Sequence, residues 1–341
     1  MLTRLAQIAK QFLDRYRHKL YLHGNNFPPL LNETELQQLQ KHAAATHSED
    51  LIAMREIQQP LLGEKDSSFS GSGYEFAEHR QYVSGDPVRH INWRVYARTG
   101  QLVRKVFHEQ RRPQLYLVVD RRAAMRFGTR TRLKVTAAVM RALTHLYQAH
   151  SLQIQIGAFI LDDQLHYYPA QQSEHALQPL IEHLVSPCPP VPETTRTTNN
   201  KSLLGESLDL LAVQLSAGNL VFMYSDFIDY QTSMDNQLHA LGNQHTVIAN
   251  HILDISETDL PPRGHYLIQQ GNSSDTVNLN CADNNQRETQ QQQLHVHFDR
   301  IKHAMQTAHI TYRRLTASDE LVKPLKPNDA IKSETRGQRY G

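Results

Sequence analysis

The stretch YLVVDRRAAMRFG, residues 116–128, decides how the rest of the chain is read. An apolar, β-rich run over 116–119 ends in an acid, Asp120, and a polar turn leads on to Gly128. In an open α/β sheet, ligands bind outside the carboxyl ends of the strands. Asp120 therefore stands where a site would begin. Yet Arg121, Arg122, Ala123 and Ala124 follow it, rather than small oxygen ligands. Three readings are open: a binding site, a site that has lost its ligand, or only a strand end. The last is ordinary, because Asp after a strand is often a turn residue or a helix cap.

Downstream, strand and helix signals alternate. LYLVVD is a buried strand, and a helix is expected over 132–147, where Leu133, Ala137, Met140, Leu143 and Leu146 share a face. SLQIQIGAFI alternates as a strand, and DDQLHYYP can return antiparallel to it. Helices are expected over 174–184 and 202–215, around Leu238, and from the Gln290–Gln293 tract to about His309. NLVFMYSDF is a second buried strand, with Asp226 at its end, and TVIANHILD is a third. HYLIQQG and TVNLN form a short hairpin, and ITYRRL is a last strand. This order predicts a mainly parallel sheet with helices on both faces. Asp120 and Asp226 would then reach one sheet edge, and two carboxylates with a hydroxyl nearby suit a hard cation such as magnesium.

Upstream the pattern differs. Residues 2–20 place Leu2, Leu5, Ala9, Phe12, Leu13, Tyr16 and Leu20 at helical spacing with basic residues between them. Such a helix packs on its own domain or lies on an anionic membrane surface. A second helix is expected over 33–45. Residues 63–110 are punctuated by glycine and rich in arginine and aromatics, which suits an irregular, β-containing module. The net charge of +2 hides an asymmetry: residues 80–134 carry +11 and the rest of the chain −9. A basic stretch meets nucleic acid, anionic lipid or an acidic partner, or packs beside acidic parts of its own chain.

Several classes are disfavoured. No apolar run approaches the roughly 20 residues that span a bilayer. Cys188 and Cys281 match no metal spacing, and a reducing, cytoplasmic setting is expected, with peripheral contact at the inner membrane face as the alternative. There is no phosphate loop, HExxH, CxxC or nucleophile elbow. None of the 20 histidines makes a helical i, i+4 ligand pair around an acid, so surface or core roles are expected for them.

The stretch SGSGYEFAEHRQYVSGDPVRHINWRVYARTGQLVRKVFHEQRRPQLYLVVD carries Gly71, Gly73, Glu75, Phe76, Arg80, Tyr82, Gly85, Asp86, Arg89, Ile91, Trp93, Ala97 and Arg98. SDF follows at 225–227, and LDISETDLPPRG carries Asp254, Glu257, Leu260, Pro261 and Gly264. Over roughly residues 60–320 this order resembles the family called domain of unknown function fifty-eight. Asn92 stands where that family usually has aspartate. The resemblance implies an α/β fold: a von Willebrand factor A-like (Rossmann-like), mainly parallel sheet flanked by helices. A helical N-terminal segment (1–60) and a Gly/Arg-rich module (61–112) would precede that domain (113–320), and a disordered tail (321–341) would follow it. It also implies work beside a MoxR-type AAA+ ATPase and its client protein.

Von Willebrand factor A-like domains hold magnesium with D-x-S-x-S at the first strand end, a distant Thr or Ser and a distant Asp. Here Asp120, Ser202 and Asp226 fill three of those five positions, while Arg122 and Ala124 replace the serines. Alanine offers no ligand, and a guanidinium repels a cation. No metal and no cofactor are therefore expected, magnesium being the alternative. Arg122 is expected to fold over the pocket and bridge Asp120 and Asp226, or else to point to solvent. Glu75, Arg80, Asp86, Arg89, Trp93, Arg94 and Arg98 are expected to form an internal ion-pair network with buried aromatics, or a partner-docking face. The reading is a non-catalytic scaffold or adaptor for a protein partner. The alternatives are a metal-dependent enzyme or metal-insertion factor using Asp120 and Asp226, and a nucleic-acid or anionic-membrane binder using the basic segments.

Overall fold

The computed structural model describes residues 27–46, 49–58, 70–83, 88, 91–108, 113–130, 132–188, 202–258, 260, 264–269, 276–280 and 283–318. The helix expected over 2–20, Asp86, Arg89, Cys281 and the tail at 321–341 lie outside these residues. The described elements fall into two units: those between Gln58 and Arg112, and those on either side of that segment.

The larger unit opens with α1 (Glu33–Ala45) and α2 (Glu49–Gln58). Asn32 and Glu35 form a reciprocal capping box: each backbone N–H donates to the other's side chain at 2.9 Å. Then come β3 (Leu115–Asp120), α4 (Lys134–Ser151), β4 (Ile156–Leu161), β5 (Leu165–Gln171) and α5 (Glu174–Val185). They are followed by α6 (Leu203–Gln214), β6 (Leu220–Ser225), α7 (Asp235–Gln244), β7 (Thr246–Leu253) and a single turn, α8 (Ile255–Thr258). A hairpin of β8 (His265–Gln269) and β9 (Thr276–Asn280), then α9 (Asn284–Thr307) and β10 (Thr311–Thr316), complete the unit.

Six strands make one sheet in the order β10-β7-β6-β3-β4-β5. Every pair is parallel except β4 with β5. Alternate side chains leave a strand on opposite faces. Leu115, Leu117 and Val119 therefore pack with α1, α4 and α5, while Tyr116 and Val118 pack with α6, α7 and α9. With both faces covered, β3, β4 and β6 are buried at every position, which explains their unbroken apolar sequences. Each such Leu or Val contributes about 1.5–3 kcal/mol on burial. Gly157 sits opposite Tyr116 in the ladder, where a Cβ would lie 2.4 Å from the tyrosine ring.

The last helix begins at Asn284, ahead of the Gln290–Gln293 tract, and two boundaries near residue 150 also differ from expectation. The helix expected to end at 147 continues through Ser151, and the chain then turns through Gln153 at φ 60°. β4 thus begins at Ile156, because the polar alternation of SLQIQ belongs to the helix end and turn. The smaller unit contains β1 (Ser70–Gln81) and β2 (Val103–His108), paired antiparallel with register breaks after Ser70 and Phe76. Between them lies an unexpected helix, α3 (Trp93–Thr99). Asn92 caps it by accepting from the Val95 N–H at 3.3 Å, and Gly100 ends it at φ 71°. The residue that departs from the family pattern is thus a helix cap, a task Asn and Asp perform equally well.

From β3 the chain builds outward to β4 and β5, then returns to lay β6 on the other side of β3. The carboxyl ends of β3 and β6 flank the topological switch point, where open α/β sheets form their crevice.

Candidate functional site

Four parallel strands deliver a carboxylate to this one edge. Asp120 ends β3, Asp162 follows β4, Asp226 follows β6 and Asp254 follows β7. Like charges so placed repel, so each needs a partner in the low-dielectric interior.

At the switch point the partner is Arg122. Its Nε donates to Asp120 Oδ1 at 2.9 Å and its Nη2 to Asp120 Oδ2 at 2.6 Å. The same guanidinium donates through Nη1 to Asp229 Oδ2 at 2.6 Å and through Nη2 to Asp229 Oδ1 at 3.0 Å. A planar fork meets both carboxylates bidentately, as Arg does and Lys cannot. Ser225 Oγ donates to Asp120 Oδ2 at 2.6 Å, and Ser202 Oγ donates to Asp229. Only 1% of the Asp120 side chain is exposed, against 12% of Arg122. Burial alone would favour the neutral guanidine, but Asp120 and Asp229 outweigh it and hold Arg122 well above its ordinary pKa. Burial raises the Asp229 carboxyl, and Arg122 with Ser202 more than reverses this, leaving it below the usual carboxylate value.

The expected bridge from Arg122 to Asp226 is not made; Asp229 takes that place. Asp226 Oδ1 accepts from the Ile228 N–H at 3.2 Å, a local turn that swings the chain round so that Asp229 reaches β3. Asp226 Oδ2 is held instead by Lys134 Nζ at 2.9 Å, and the ammonium also meets Glu257 Oε1 at 2.8 Å. Lys134 opens α4, where the helix dipole disfavours a cation, and the two carboxylates offset this. Burial would lower the Lys134 pKa, but the two acids raise it. Glu257 is pushed up, first by burial and further by Asp226, despite Lys134. Asp254 is held by neutral donors: the Thr129 N–H (2.8 Å) and Oγ1 (2.5 Å), and the Ser256 N–H (2.9 Å) and Oγ (2.7 Å). They outweigh the burial that raises its pKa, which lies below its ordinary value.

These residues do not fit a magnesium ion at the switch point. The guanidinium fills the space between Asp120 and Asp229, and Asp226 is turned to Lys134. Ala124, in the turn Ala123–Met125, has no donor. Ser202 caps α6 by accepting from the Gly205 N–H at 3.2 Å. Chemically, the arrangement locks three strand-end loops together; its carboxylates are engaged by cations, hydroxyls and amides rather than poised to activate water.

A family model described as "Protein of unknown function DUF58" matches residues 78–300. The chain belongs to the DUF58 family. Two relatives are the uncharacterized proteins Mb1516 of Mycobacterium bovis and Rv1480 of Mycobacterium tuberculosis. Each is 26% identical over 233 residues, covering 68% of this chain and 72% of its own.

The DUF58 motif residues of the smaller unit are only partly placed. Glu75 and Arg80 lie on β1, but their side chains are outside the described residues, as are Asp86 and Arg89 altogether. Trp93, Arg94 and Arg98 lie on α3. The expectation of buried aromatics fails here: Trp93 is 56% and Tyr96 42% exposed, and their rings meet edge to face at 6.1 Å. The seven-residue helix is capped at both ends, and none of its residues is buried. Among the described residues, no helix is long and apolar enough to cross a membrane.

Sequence reasoning missed Asp229, Lys134 and Asp162 as members of this edge. Asp229 had a signal, its place three residues beyond Asp226, where an Asx turn brings a second acid back to the strand end. Lys134 had none, because a lysine at the start of a helix reads as a surface charge.

Proposed function

We propose that this DUF58 protein is a non-catalytic scaffold or adaptor that binds a protein partner, working with a MoxR-type AAA+ ATPase in protein assembly or remodelling. The observation that carries the reading is the internal neutralisation of the switch point by Arg122. A crevice that usually receives a ligand is filled by the chain's own side chain, so the edge serves as a rigid recognition surface. A second element supports it. On α3, Trp93 and Tyr96 stand exposed beside Arg94 and Arg98, which are exposed as well. Trp, Tyr and Arg dominate binding hot spots, and this combination suits an acidic, partly apolar surface on the partner.

The test is capture of a MoxR-type ATPase by the full chain, with the parent compared with Trp93→Ala and with the double variant Arg94→Glu, Arg98→Glu. The expected result is stable capture by the parent and at least a tenfold loss in both variants. No capture by the parent overturns the partner assignment, and equal capture by all three overturns the docking face. Binding to nucleic acid or anionic vesicles that collapses steeply with salt would replace the adaptor reading with the phosphate-binding one.

A further inference from the structure

We propose that Asp162, His166 and His183 form a binding site for a zinc-class divalent cation at the carboxyl end of β4. The site lies apart from the Arg122 network and does not rest on the adaptor reading. Three elements that are distant in sequence supply it. Asp162 turns the chain out of β4, His166 lies on β5 opposite Ile160, and His183 lies in the last turn of α5. One donor atom from each falls within 4.8 Å of the other two.

Two features distinguish this group from a chance meeting of surface histidines. First, His183 is oriented from both sides. Its Nε2 lies 2.7 Å from Asp162 Oδ2, and its Nδ1 lies 2.8 Å from the Tyr168 hydroxyl. A metal-bound imidazole needs such a partner on its second nitrogen to fix tautomer and ring angle. A cation would replace the proton shared between Nε2 and Oδ2. Second, His166 is available. Its ring stands edge-on to His183 at 4.8 Å between centroids, and among the described residues no hydrogen bond holds it. Zinc bonds of about 2.0–2.2 Å put tetrahedral donors roughly 3.3 Å apart. The Asp162–His183 pair must therefore open by about half an ångström while His166 swings inward.

The neighbouring cations set the character of the site. Arg121 Nε is 3.5 Å and Arg126 Nη2 3.9 Å from Asp162 Oδ1, so both lie on the oxygen that the ion does not use. Arg121 is anchored elsewhere, donating to the His183 carbonyl, to the Ser186 carbonyl at 3.0 Å, to Ser186 Oγ at 2.9 Å and to Cys188 Sγ at 3.0 Å. Two nearby guanidinium groups weaken affinity for any cation and favour an anionic fourth ligand. Two imidazoles select zinc-class metals over magnesium, and three protein ligands leave one position open to water or a partner's donor.

The experiment is calorimetric titration of the full chain with zinc chloride in excess magnesium, followed by cobalt(II) titration read as a visible band of a four-coordinate site. The expected result is one zinc per chain at micromolar affinity, weakened ten- to a hundredfold by His166→Ala and by His183→Gln. His175→Ala, an exposed histidine on the same helix, should keep the parent affinity. His166→Ala decides the matter if His183→Gln fails to fold. Absence of saturable zinc binding, equal binding by the parent and His166→Ala, or displacement of zinc by equimolar magnesium each overturns the proposal.

Discussion

β3 and β4 run side by side, Asp120 pairing with Leu161, and the two strands end in carboxylates one residue apart in register. At β3 the counter-cation is the guanidinium of Arg122, two residues on, and the acid is 1% exposed. At β4 the nearest partner is an imidazole from another element, and 17% of Asp162 is exposed. The difference teaches what crowding of like charges demands. Asp120 and Asp229 meet at one point and share a cation that cannot lose its proton, whereas Asp254, as buried as Asp120, is held by neutral donors alone. Asp162 meets the His183 imidazole at 2.7 Å, with the Arg121 and Arg126 guanidinium groups farther off at 3.5 and 3.9 Å, and under the zinc proposal that is the end of the sheet that takes a ligand. One sheet edge thus holds a closed end and an open end.

The largest effect that would break this contrast is at the closed end. Arg122→Ala strands Asp120 and leaves Asp229 facing it, and it is expected to cost about 3–5 kcal/mol, as removal of one partner of a buried pair does. Urea denaturation should show a lower midpoint at unchanged slope. A loss below 1 kcal/mol would mean that the serine hydroxyls alone hold the acids, and the contrast would collapse.

Lys134 and Asp226, each 3% exposed, provide the next test. Lys134→Met leaves a buried acid unpaired, while Lys134→Met combined with Asp226→Leu removes both charges. The double variant is expected to recover about 1–3 kcal/mol relative to the sum of the single ones, measured as a coupling energy in denaturation. Additive losses would show that Glu257 rather than Asp226 is the partner that matters.

How much of this was legible beforehand depended on range. Unbroken apolar runs such as LYLVVD and NLVFMYSDF announce strands covered on both faces, so the layers and their order followed from local pattern. Helix α3 was not legible, because its cap, Asn92, lies among arginines and aromatics with no apolar stripe to reveal a period. The site was legible only where partners are close in sequence. Arg122 reaches back two residues to Asp120, whereas Lys134 meets Asp226 across 92 residues and His183 meets Asp162 across 21. Which acid a cation chooses is set by the turn after β6: the spacing of Asp229 from Asp226 hints at that turn, whereas nothing in the sequence near Lys134 points to Asp226.

Acid titration separates the strand ends from the buried histidines. His251 is completely buried, and burial pushes it from 6.5 to about 3, with Asp226 opposing that shift and Arg314, Lys134 and His297 adding to it. Below 6.5 the unfolded chain takes up a proton that the folded chain refuses, so stability falls with pH by up to about 1.4 kcal/mol per unit. His245 and His297, also lowered by burial, add to this limb. Asp229 and Asp254 act in the same sense over a lower window: their contribution is fully present above 3.8 and is lost as pH falls through their depressed values. His251→Phe, set among Phe227, Phe298 and Tyr312, should flatten the melting-temperature profile between pH 6.5 and 3.8 and leave the steeper loss below it. A profile that drops only below 3.8 in the parent would assign the whole acid response to the strand ends.

The smallest effect is expected at the open end, and it defines the comparison from the other side. Asp162→Asn keeps the shape and a hydrogen-bonding carbonyl toward His183, and it removes a charge that water already reaches. At 17% and 19% exposure the Asp162–His183 pair is part-buried, and asparagine keeps one hydrogen-bonding oxygen toward the imidazole. Arg121 is only 2% exposed, and without Asp162 its Nη atoms keep the His183 and Ser186 carbonyls and Cys188, while its Nε, 3.5 Å from Asp162, has no hydrogen-bond partner. The variant should therefore unfold within about 1.5 kcal/mol of the parent by urea denaturation, the scale of one hydrogen bond. A loss comparable with that of Arg122→Ala would mean that Asp162 is the counter-ion Arg121 requires. The β4 end would then be a second closed network, and the distinction between the two strand ends would be one of partner identity rather than of openness.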